Sequence, residues 1–246
     1  MIDTAMILCA GFGTRLNELT KTLPKPMLAI SGKPILEYSI KHLINLGIKK
    51  IVINLHYLHE TITDHFGDGT KFGVKIIYSY EEKPLGTAGA LKKVKNVLYN
   101  TKDFFVLYGD IFTNENFIDL YNYHISKENS VGTIVLHKRI NSNSIVEMDE
   151  NNKIIKFLER PDNTITENND NWVNSGLYCF NENIFDFIPE NMYYDFPKDV
   201  FPEMVSRNIL YGYPIKNYRC AIDSEERYYK AQSDYIKKKV LFEFER

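Results

Sequence analysis

The feature that most constrains this chain is a short apolar run that ends in a glycine turn with positive charge close behind it. The run Ala5–Ala10 has the length and composition of a fully buried strand. It stops at Gly11-Phe12-Gly13, where two glycines allow a sharp turn and a close approach of the backbone to a ligand. Two cations follow, Arg15 and Lys25. A strand, a glycine turn and nearby positive charge together indicate a polyphosphate site.

Two common phosphate-binding loops fit this turn poorly. A dinucleotide-binding loop needs a third glycine, where this chain has Leu16, and an acid about 20 residues on, which Ile30-Ser31-Gly32 does not supply. A Walker A loop needs Ser or Thr after Gly-Lys, but Pro34 follows Gly32-Lys33. What remains is G-x-G-T-R-L followed by P-K-P. Solvated cations beside a tight turn are the structural alternative, and they leave the clustering of glycines, cations and prolines unexplained.

The prolines on either side of Lys25 restrict the backbone of that segment. Each proline fixes its own φ angle and favours extended geometry at the residue before it. We therefore expect Lys25 on a rigid, extended segment that returns across the glycine turn.

Hydrophobic patterning predicts alternating helices and strands up to about residue 138. The predicted helices are Ile35–Leu46, Tyr57–Phe66, Ala88–Val97 and Ile118–Ser126, and the predicted strands are Lys50–Leu55, Val74–Tyr80, Phe104–Tyr108 and Val131–His137. Such alternation is typical of an α/β fold with a mainly parallel sheet and helices on both faces. From about residue 139 the pattern becomes a hairpin (Ile145–Met148 with Lys153–Leu158), further short elements and a C-terminal helix, Glu225–Val240. We predict a single domain over residues 1–246.

Composition excludes several classes of protein. The net charge of −2 provides no general attraction to nucleic acid or anionic lipid. No apolar run approaches the roughly 20 residues of a membrane span, and Met1-Ile2-Asp3-Thr4 lacks the basic region of a signal peptide. Cys9, Cys179 and Cys220 are far apart and are expected to be reduced core residues. A cytoplasmic enzyme with no nucleic-acid or membrane partner is the expectation.

The glycine-turn segment resembles the signature of the sugar-1-phosphate nucleotidyltransferases, the nucleotide-sugar pyrophosphorylases. Likeness covers most of the chain, and it is closest to mannose-1-phosphate and D-glycero-D-manno-heptose-1-phosphate guanylyltransferases. The matching motifs, in order, are Ala10–Leu16 with Pro24–Met27, Glu82–Leu91, Gly109-Asp110, Phe157–Pro161, Asn174–Tyr178, and Asp223 with Tyr228–Ala231. The resemblance implies a Rossmann-like, mostly parallel sheet flanked by helices, with a small sugar-binding lobe. It also implies that about 1–138 bind a nucleotide and about 139–246 a sugar phosphate.

The resemblance further implies a role for each motif residue. The reaction joins a sugar 1-phosphate to an NTP, releases pyrophosphate and uses Mg²⁺. Arg15 and Lys25 are the expected catalytic cations, and Asp110 and Asp223 the expected Mg²⁺ ligands. The expected nucleotide-binding residues are Leu8, Ala10, Gly11, Gly13, Thr14, Gly86, Thr87 and Gly89, and the expected sugar-phosphate-binding residues are Glu159, Arg160, Asn174 and Gly176.

Alternatives remain open for several of these residues. Asp110 could cap the segment Thr113–Glu115, and Asp223 could cap the C-terminal helix. Arg160 stands where the family has lysine, which keeps the charge and changes its geometry. Glu81 and Glu82 are expected to be solvated loop charges, although Glu82 falls within a motif.

Three readings of the function compete. The leading one is a guanylyltransferase for a mannose- or heptose-type sugar 1-phosphate. Its rivals are transfer of UMP, CMP or dTMP to another sugar 1-phosphate or small phosphate, and a non-catalytic nucleotide-sugar sensor. The pairs Tyr193-Tyr194 and Tyr228-Tyr229 could line a sugar pocket or a homodimer contact, but core packing is the more common use of aromatic side chains.

Overall fold

The structure is a computed structural model that describes residues 2–11, 13–98, 101–140, 142, 144–159 and 170–245. Within helices and strands, the side chains of Thr14, Arg15 and Asn17 lie outside this description. The strands are β1 (Thr4–Leu8), β2 (Ala29–Ile30), β3 (Lys33–Pro34), β4 (Lys50–Leu55), β5 (Lys75–Tyr80), β6 (Asp103–Tyr108), β7 (Ile111–Thr113), β8 (Gly132–Ile140), β9 (Ile145–Met148), β10 (Ile154–Leu158), β11 (Asp170–Asn181), β12 (Leu210–Pro214) and β13 (Arg219–Ala221).

The α-helices are α1 (Ile35–Asn45), α2 (Glu60–Phe66), α3 (Gly86–Lys93), α4 (Lys95–Leu98), α5 (Phe117–Ser126), α6 (Phe201–Ser206) and α7 (Glu225–Ile236). Short 3₁₀ segments span Thr14–Thr20, Lys25–Met27, Thr70–Phe72, Glu182–Phe187 and Glu243–Glu245, and a π-helical turn spans Phe196–Val200. No helix among the described residues is both long and apolar enough to cross a bilayer.

The chain forms two compact units, each assembled from stretches that are distant in sequence. The first contains residues 1–84, 107–117 and 216–246, and the second contains residues 85–106 and 118–215. The expectation that about 1–138 and about 139–246 bind different substrates concerns ligands, and it stays a prediction.

The first unit is organised by parallel strands. β1 pairs with β4 in parallel, with Leu8 opposite Asn54, and β4 pairs with β5 in parallel, with Asn54 opposite Ser79. β7 and β13 form a separate antiparallel pair in which Cys220 lies opposite Phe112. The expected α/β class, a mixed and mostly parallel sheet flanked by helices, is confirmed.

The core of the first unit draws on all three of its stretches. Tyr38 of α1 is 2% exposed, and its ring centroid lies 5.1 Å from those of Phe112 and Phe242. The same cluster includes Leu16, Leu28, Ile30, Ile35, Cys220, Ile222, Ala231 and Val240. This part of the molecule therefore depends on residues close to both ends of the sequence.

The second unit is largely antiparallel. β11 pairs with β8 and β9, β9 pairs with β10, and β12 joins β8 in parallel. Tyr178 and Phe180 of β11 pack against Phe196 and Phe201, whose rings stack at 5.7 Å. The predicted hairpin of residues 145–158 is confirmed as β9 and β10.

Two local expectations are wrong. Lys25 does not lie on an extended segment: it begins the 3₁₀ turn Lys25–Met27, and only Pro24 before it is extended. Pro26 is tolerated there because the first residues of a helical turn have no intrahelical use for an N–H. Glu81 is also not solvated, since it is 2% exposed and accepts a hydrogen bond from Asn54. The three cysteines are free and buried, as predicted.

Candidate active site

Gly13 begins the segment that carries the predicted phosphate-binding residues. Its φ of 73° lies in the left-handed region, and a Cβ there would stand 3.1 Å from Lys25 Cγ. The Gly13 carbonyl accepts hydrogen bonds from Thr20 Oγ1 (3.0 Å) and Leu16 N (3.1 Å), which closes the turn into the 3₁₀ segment Thr14–Thr20. Glycine is thus required here for backbone conformation and for contact with Lys25. Phe12 and the side chains of Thr14 and Arg15 lie outside the described residues.

Lys25 lies against one of the two predicted metal ligands. Its Nζ is 3.5 Å from Asp110 Oδ2, and its side chain is 12% exposed. Asp110 follows β6 through Gly109, whose amide donates to Leu8 O at 2.9 Å. A Cβ on Gly109 would stand 2.5 Å from Cys9 Sγ, so only glycine allows the two strand ends to approach this closely.

The pairing of β7 with β13 brings Asp223 beside Asp110. The ladder continues past both strands, because Ile222 N donates to Asp110 O at 2.8 Å, and Asp223 is the next residue. Asp223 Oδ1 lies 3.3 Å from Arg227 Nη1. The strand pairing therefore makes Asp223 the neighbour of the residue that bonds to the Asp110 backbone, although the two positions are more than a hundred residues apart in sequence.

Neither aspartate acts as the cap that its position allowed. Ser224 caps α7, with its Oγ accepting from Arg227 N. The amide of Glu115 is bound by Thr113 Oγ1 and not by Asp110. The capping alternatives are therefore wrong for both carboxylates.

In the second unit, the predicted nucleotide residues of α3 contact the segment 192–196. A Cβ on Gly86 would stand 2.4 Å from Tyr194 O, and one on Gly89 would stand 2.5 Å from Met192 O. Thr87 Oγ1 donates to Asp195 Oδ1 (2.6 Å) and accepts from Phe196 N (2.9 Å). Both glycines and the hydroxyl thus have packing roles within the protein, and their nucleotide contacts stay predictions.

The predicted sugar-binding motif of β11 forms a bulge. The β8–β11 register shifts between Asn174 and Tyr178, and Gly176 has a φ of 72°. Asn174 Oδ1 accepts from Gly176 N (2.9 Å), and its Nδ2 donates to Tyr178 Oη (2.8 Å). Glu159 is partly buried just after β10, and Arg160 lies outside the described residues. The bulge fixes the direction of Asn174.

Comparison with known proteins tests the resemblance. A family model described as nucleotidyl transferase matches residues 4–236. The chain belongs to this family.

Three relatives of this chain are informative. It is 35% identical over 220 residues to a UTP–glucose-1-phosphate uridylyltransferase of Synechocystis sp., covering 83% of this chain and 56% of the relative. It is also 35% identical over 212 residues to the mannose-1-phosphate guanylyltransferase catalytic subunit beta of Drosophila melanogaster, covering 85% and 56%. The chain therefore spans about half the length of these relatives.

The third relative is a solved structure, HddC from Yersinia pseudotuberculosis. It superposes with a TM-score of 0.79 at 26% identity, covering 96% of this chain and 100% of that one. The same protein complexed with GMP-PN superposes with a TM-score of 0.78. The resemblance to the sugar-phosphate nucleotidyltransferases and the fold expected from it are confirmed.

The carboxylates of this chain fit the expected Mg²⁺ in chemistry. Asp110 and Asp223 offer hard oxygen donors, which Mg²⁺ prefers. Among the described residues, no group of three or more His, Cys, Asp or Glu side chains could hold a metal ion. The pair would need phosphate oxygens and water to complete an octahedral site, and Mg²⁺ commonly binds in this way.

Two arginines of the site were not identified from the sequence. Arg227 pairs with Asp223, as described above. Burial lowers the pKa of Arg219 to about 10, and the nearby carboxylate of Asp110 opposes that shift. Nothing in the sequence around either residue distinguishes it from a surface arginine. The acidic residues near it are brought there by the pairing of β7 with β13, which no local pattern predicts.

Proposed function

We propose that the protein transfers a nucleoside monophosphate from an NTP to a sugar 1-phosphate and releases pyrophosphate. GTP and a mannose- or heptose-type sugar phosphate are the favoured substrates. The observation that carries the proposal is the ion pair of Lys25 with Asp110 beside the glycine turn, with Asp223 following the residue that bonds to the Asp110 backbone. In a member of this family, such a grouping supplies the mixed charge that a triphosphate requires.

The chemistry needs little beyond placement and charge. A sugar phosphate oxygen attacks the α-phosphorus, and the bond to the β-phosphate breaks so that pyrophosphate leaves. The attacking oxygen is largely ionised near neutral pH, since the second phosphate pKa is about 6, and it needs no general base. The protein must hold two anions in line and stabilise the added negative charge.

The proposed roles divide this work among the residues. Lys25 would contact the α-phosphate, and Arg15 would hold the leaving pyrophosphate. Arg160 would bind the sugar phosphate, while Glu159 and Asn174 would bind sugar hydroxyls. Asp110 and Asp223 would hold Mg²⁺, which when bound neutralises phosphate charge.

Two observations bear on the base. The guanylyltransferase relatives and the GMP-PN complex of HddC favour guanine. The uridylyltransferase of Synechocystis is equally similar in sequence, so UTP with a glucose-type phosphate is the second candidate.

A pyrophosphate-release screen tests the proposal. Each nucleoside triphosphate is combined with mannose, heptose, glucose and other sugar 1-phosphates in the presence of Mg²⁺. Highest kcat/KM with GTP supports the proposal, and highest kcat/KM with UTP supports the second candidate. No release with any pair would favour a nucleotide-sugar sensor.

A further inference from the structure

One peptide group at the start of the glycine turn is held from both sides. The carbonyl of Leu8 accepts from Gly109 N at 2.9 Å, and the amide of Cys9 donates to Asn54 Oδ1 at 2.8 Å. That carbonyl and that amide belong to the same planar unit, so the two bonds fix its orientation. Ala10 and Gly11, which are expected to bind the nucleotide, follow directly.

The side chain that holds Cys9 is itself fixed. Asn54 Nδ2 donates to Glu81 Oε1 at 2.8 Å, and the two residues are only 3% and 2% exposed. The main chain at Glu81 is held as well, because His56 Nδ1 lies 2.7 Å from Glu81 O. The network thus runs from Gly109, beside Asp110, across the ends of β1 and β4 to the residue after β5.

Only a side chain with both an acceptor and a donor can occupy the middle of this network. The asparagine amide supplies the oxygen that the Cys9 N–H needs and the N–H that the Glu81 carboxylate needs. An aspartate would keep the first bond and place one carboxyl group against another. In a buried position, a polar group that loses its partner is costly.

We propose that Asn54 is a positioning residue for the nucleotide-binding turn. Its amide links the Cys9 N–H to Glu81 and so sets where the turn begins relative to Asp110. Asn54 acts through the backbone and does not contact the substrate. The inference rests on the proposed function, since the ligand of the turn is taken to be an NTP.

Combining Asn54→Asp with Glu81→Gln, which exchanges the amide and the carboxylate between the two positions, tests this role. Asn54→Asp should lower kcat/KM for the NTP at least about tenfold, mainly through KM. In the Glu81→Gln background the same change should cost less than about threefold, because the glutamine amide introduced at position 81 can donate to the carboxylate introduced at position 54. This coupling is the signature of a direct bond. Equal losses in both backgrounds would overturn the proposal.

Asn181→Asp is the matched control. Asn181 Oδ1 accepts from Asn183 N, and its Nδ2 donates to Ser130 O. Like Asn54, its side-chain amide therefore accepts one hydrogen bond and donates another, but it lies outside the glycine turn. This variant should lower the melting temperature and leave kcat/KM within about twofold of the wild type. If Asn54→Asp behaves in the same way, its role is merely structural and the proposal fails.

Amide hydrogen exchange followed by NMR separates this inference from the proposed function. Asn54→Leu, or Asn54→Ala if the first variant does not fold, removes the acceptor of the Cys9 N–H. It should speed exchange at Cys9 at least about tenfold and leave Met6 in the same strand protected. Unchanged exchange at Cys9 would overturn the inference even in an active enzyme. Absence of turnover in the wild type would contradict the proposed function alone.

Discussion

At the scale of single residues, the ion pair between Lys25 and Asp110 links the predicted cationic and metal-binding parts of the site. We expect Lys25→Met to lower kcat about 10²–10³-fold, because a positioned charge that meets developing negative charge contributes that much to catalysis. Nucleotide affinity, measured by calorimetry, should change far less. Lys33→Met is the control, since Lys33 forms a comparable pair with Glu245 at 3.0 Å. An unchanged kcat would remove Lys25 from the mechanism.

Removal of Lys25 should impair the enzyme, whereas removal of Arg227 should improve its response to Mg²⁺. Arg227 pairs with Asp223, so a metal ion that binds this carboxylate competes with the guanidinium for its negative charge. Arg227→Met should therefore lower the Mg²⁺ concentration for half-maximal activity about two- to fivefold, which corresponds to a partly exposed ion pair of up to about 1 kcal/mol. Magnesium titration at fixed NTP measures this shift.

The control for Arg227 is another arginine with the same spacing. Arg207 pairs with Glu203 at 2.6 Å, also four residues apart and at the end of a helix. Arg207→Met should leave the magnesium requirement unchanged. If Arg227→Met raises the requirement, Arg227 assists metal binding and does not compete with it.

At the scale of elements, α3 contains a glycine whose role a single substitution can decide. Alanine in a helix interior is normally more stable than glycine by about 0.5–1 kcal/mol. At Gly89, however, a Cβ would stand 2.5 Å from the backbone oxygen of Met192. We expect Gly89→Ala to lower the free energy of unfolding by about 1–3 kcal/mol, as overpacking does, in urea titrations.

Gly11 provides the comparison for this stability measurement. A Cβ on Gly11 meets no atom within 4 Å, so Gly11→Ala should change stability by less than about 0.5 kcal/mol. If Gly89→Ala instead stabilises the protein while weakening nucleotide binding, the glycine serves the ligand and not the packing against segment 192–196.

The elements also show what patterning can and cannot predict. The strand Lys50–Leu55 is predicted with its observed bounds. A short apolar run between polar residues is typical of a buried strand and is too short for most helices. The 3₁₀ turn at Lys25 was missed, because two flanking prolines are compatible with either geometry. The burial of Glu81 was missed because it depends on Asn54, a partner 27 residues away that no local pattern identifies.

At the scale of the whole molecule, the first unit cannot be obtained by ending the chain at residue 138, where the predicted alternation of helices and strands stops. A fragment of residues 1–138 would keep Tyr38 and Phe112 but lose Ile222, Ala231 and Phe242 from the same core cluster. We expect this fragment to show no cooperative thermal transition by circular dichroism, whereas the complete chain should show one. A sigmoidal transition in the fragment would mean that the C-terminal residues are dispensable for this core.

Some residues of the candidate site could be predicted from sequence motifs, and others could not. The residues that motifs supply, such as Lys25, Asp110 and Asp223, can be named from the sequence. The structure pairs Lys25 with Asp110 and makes Asp223 the residue after Ile222, whose amide bonds to Asp110 O, while their roles stay predictions. Asn54, Arg219 and Arg227 could not be named, because their roles come from strand register and from side chains that face them across the sheet ends.

The first unit is made of three separate stretches of the chain, and this affects the order in which it can fold during synthesis on the ribosome. Every stretch of the second unit has been translated by residue 215, while Val240 and Phe242, which close the core of the first, emerge only afterwards. Domains generally fold as units during translation. The nascent chain therefore cannot close the core of the first unit, whose N-terminal residues are made first, until Val240 and Phe242 have been translated.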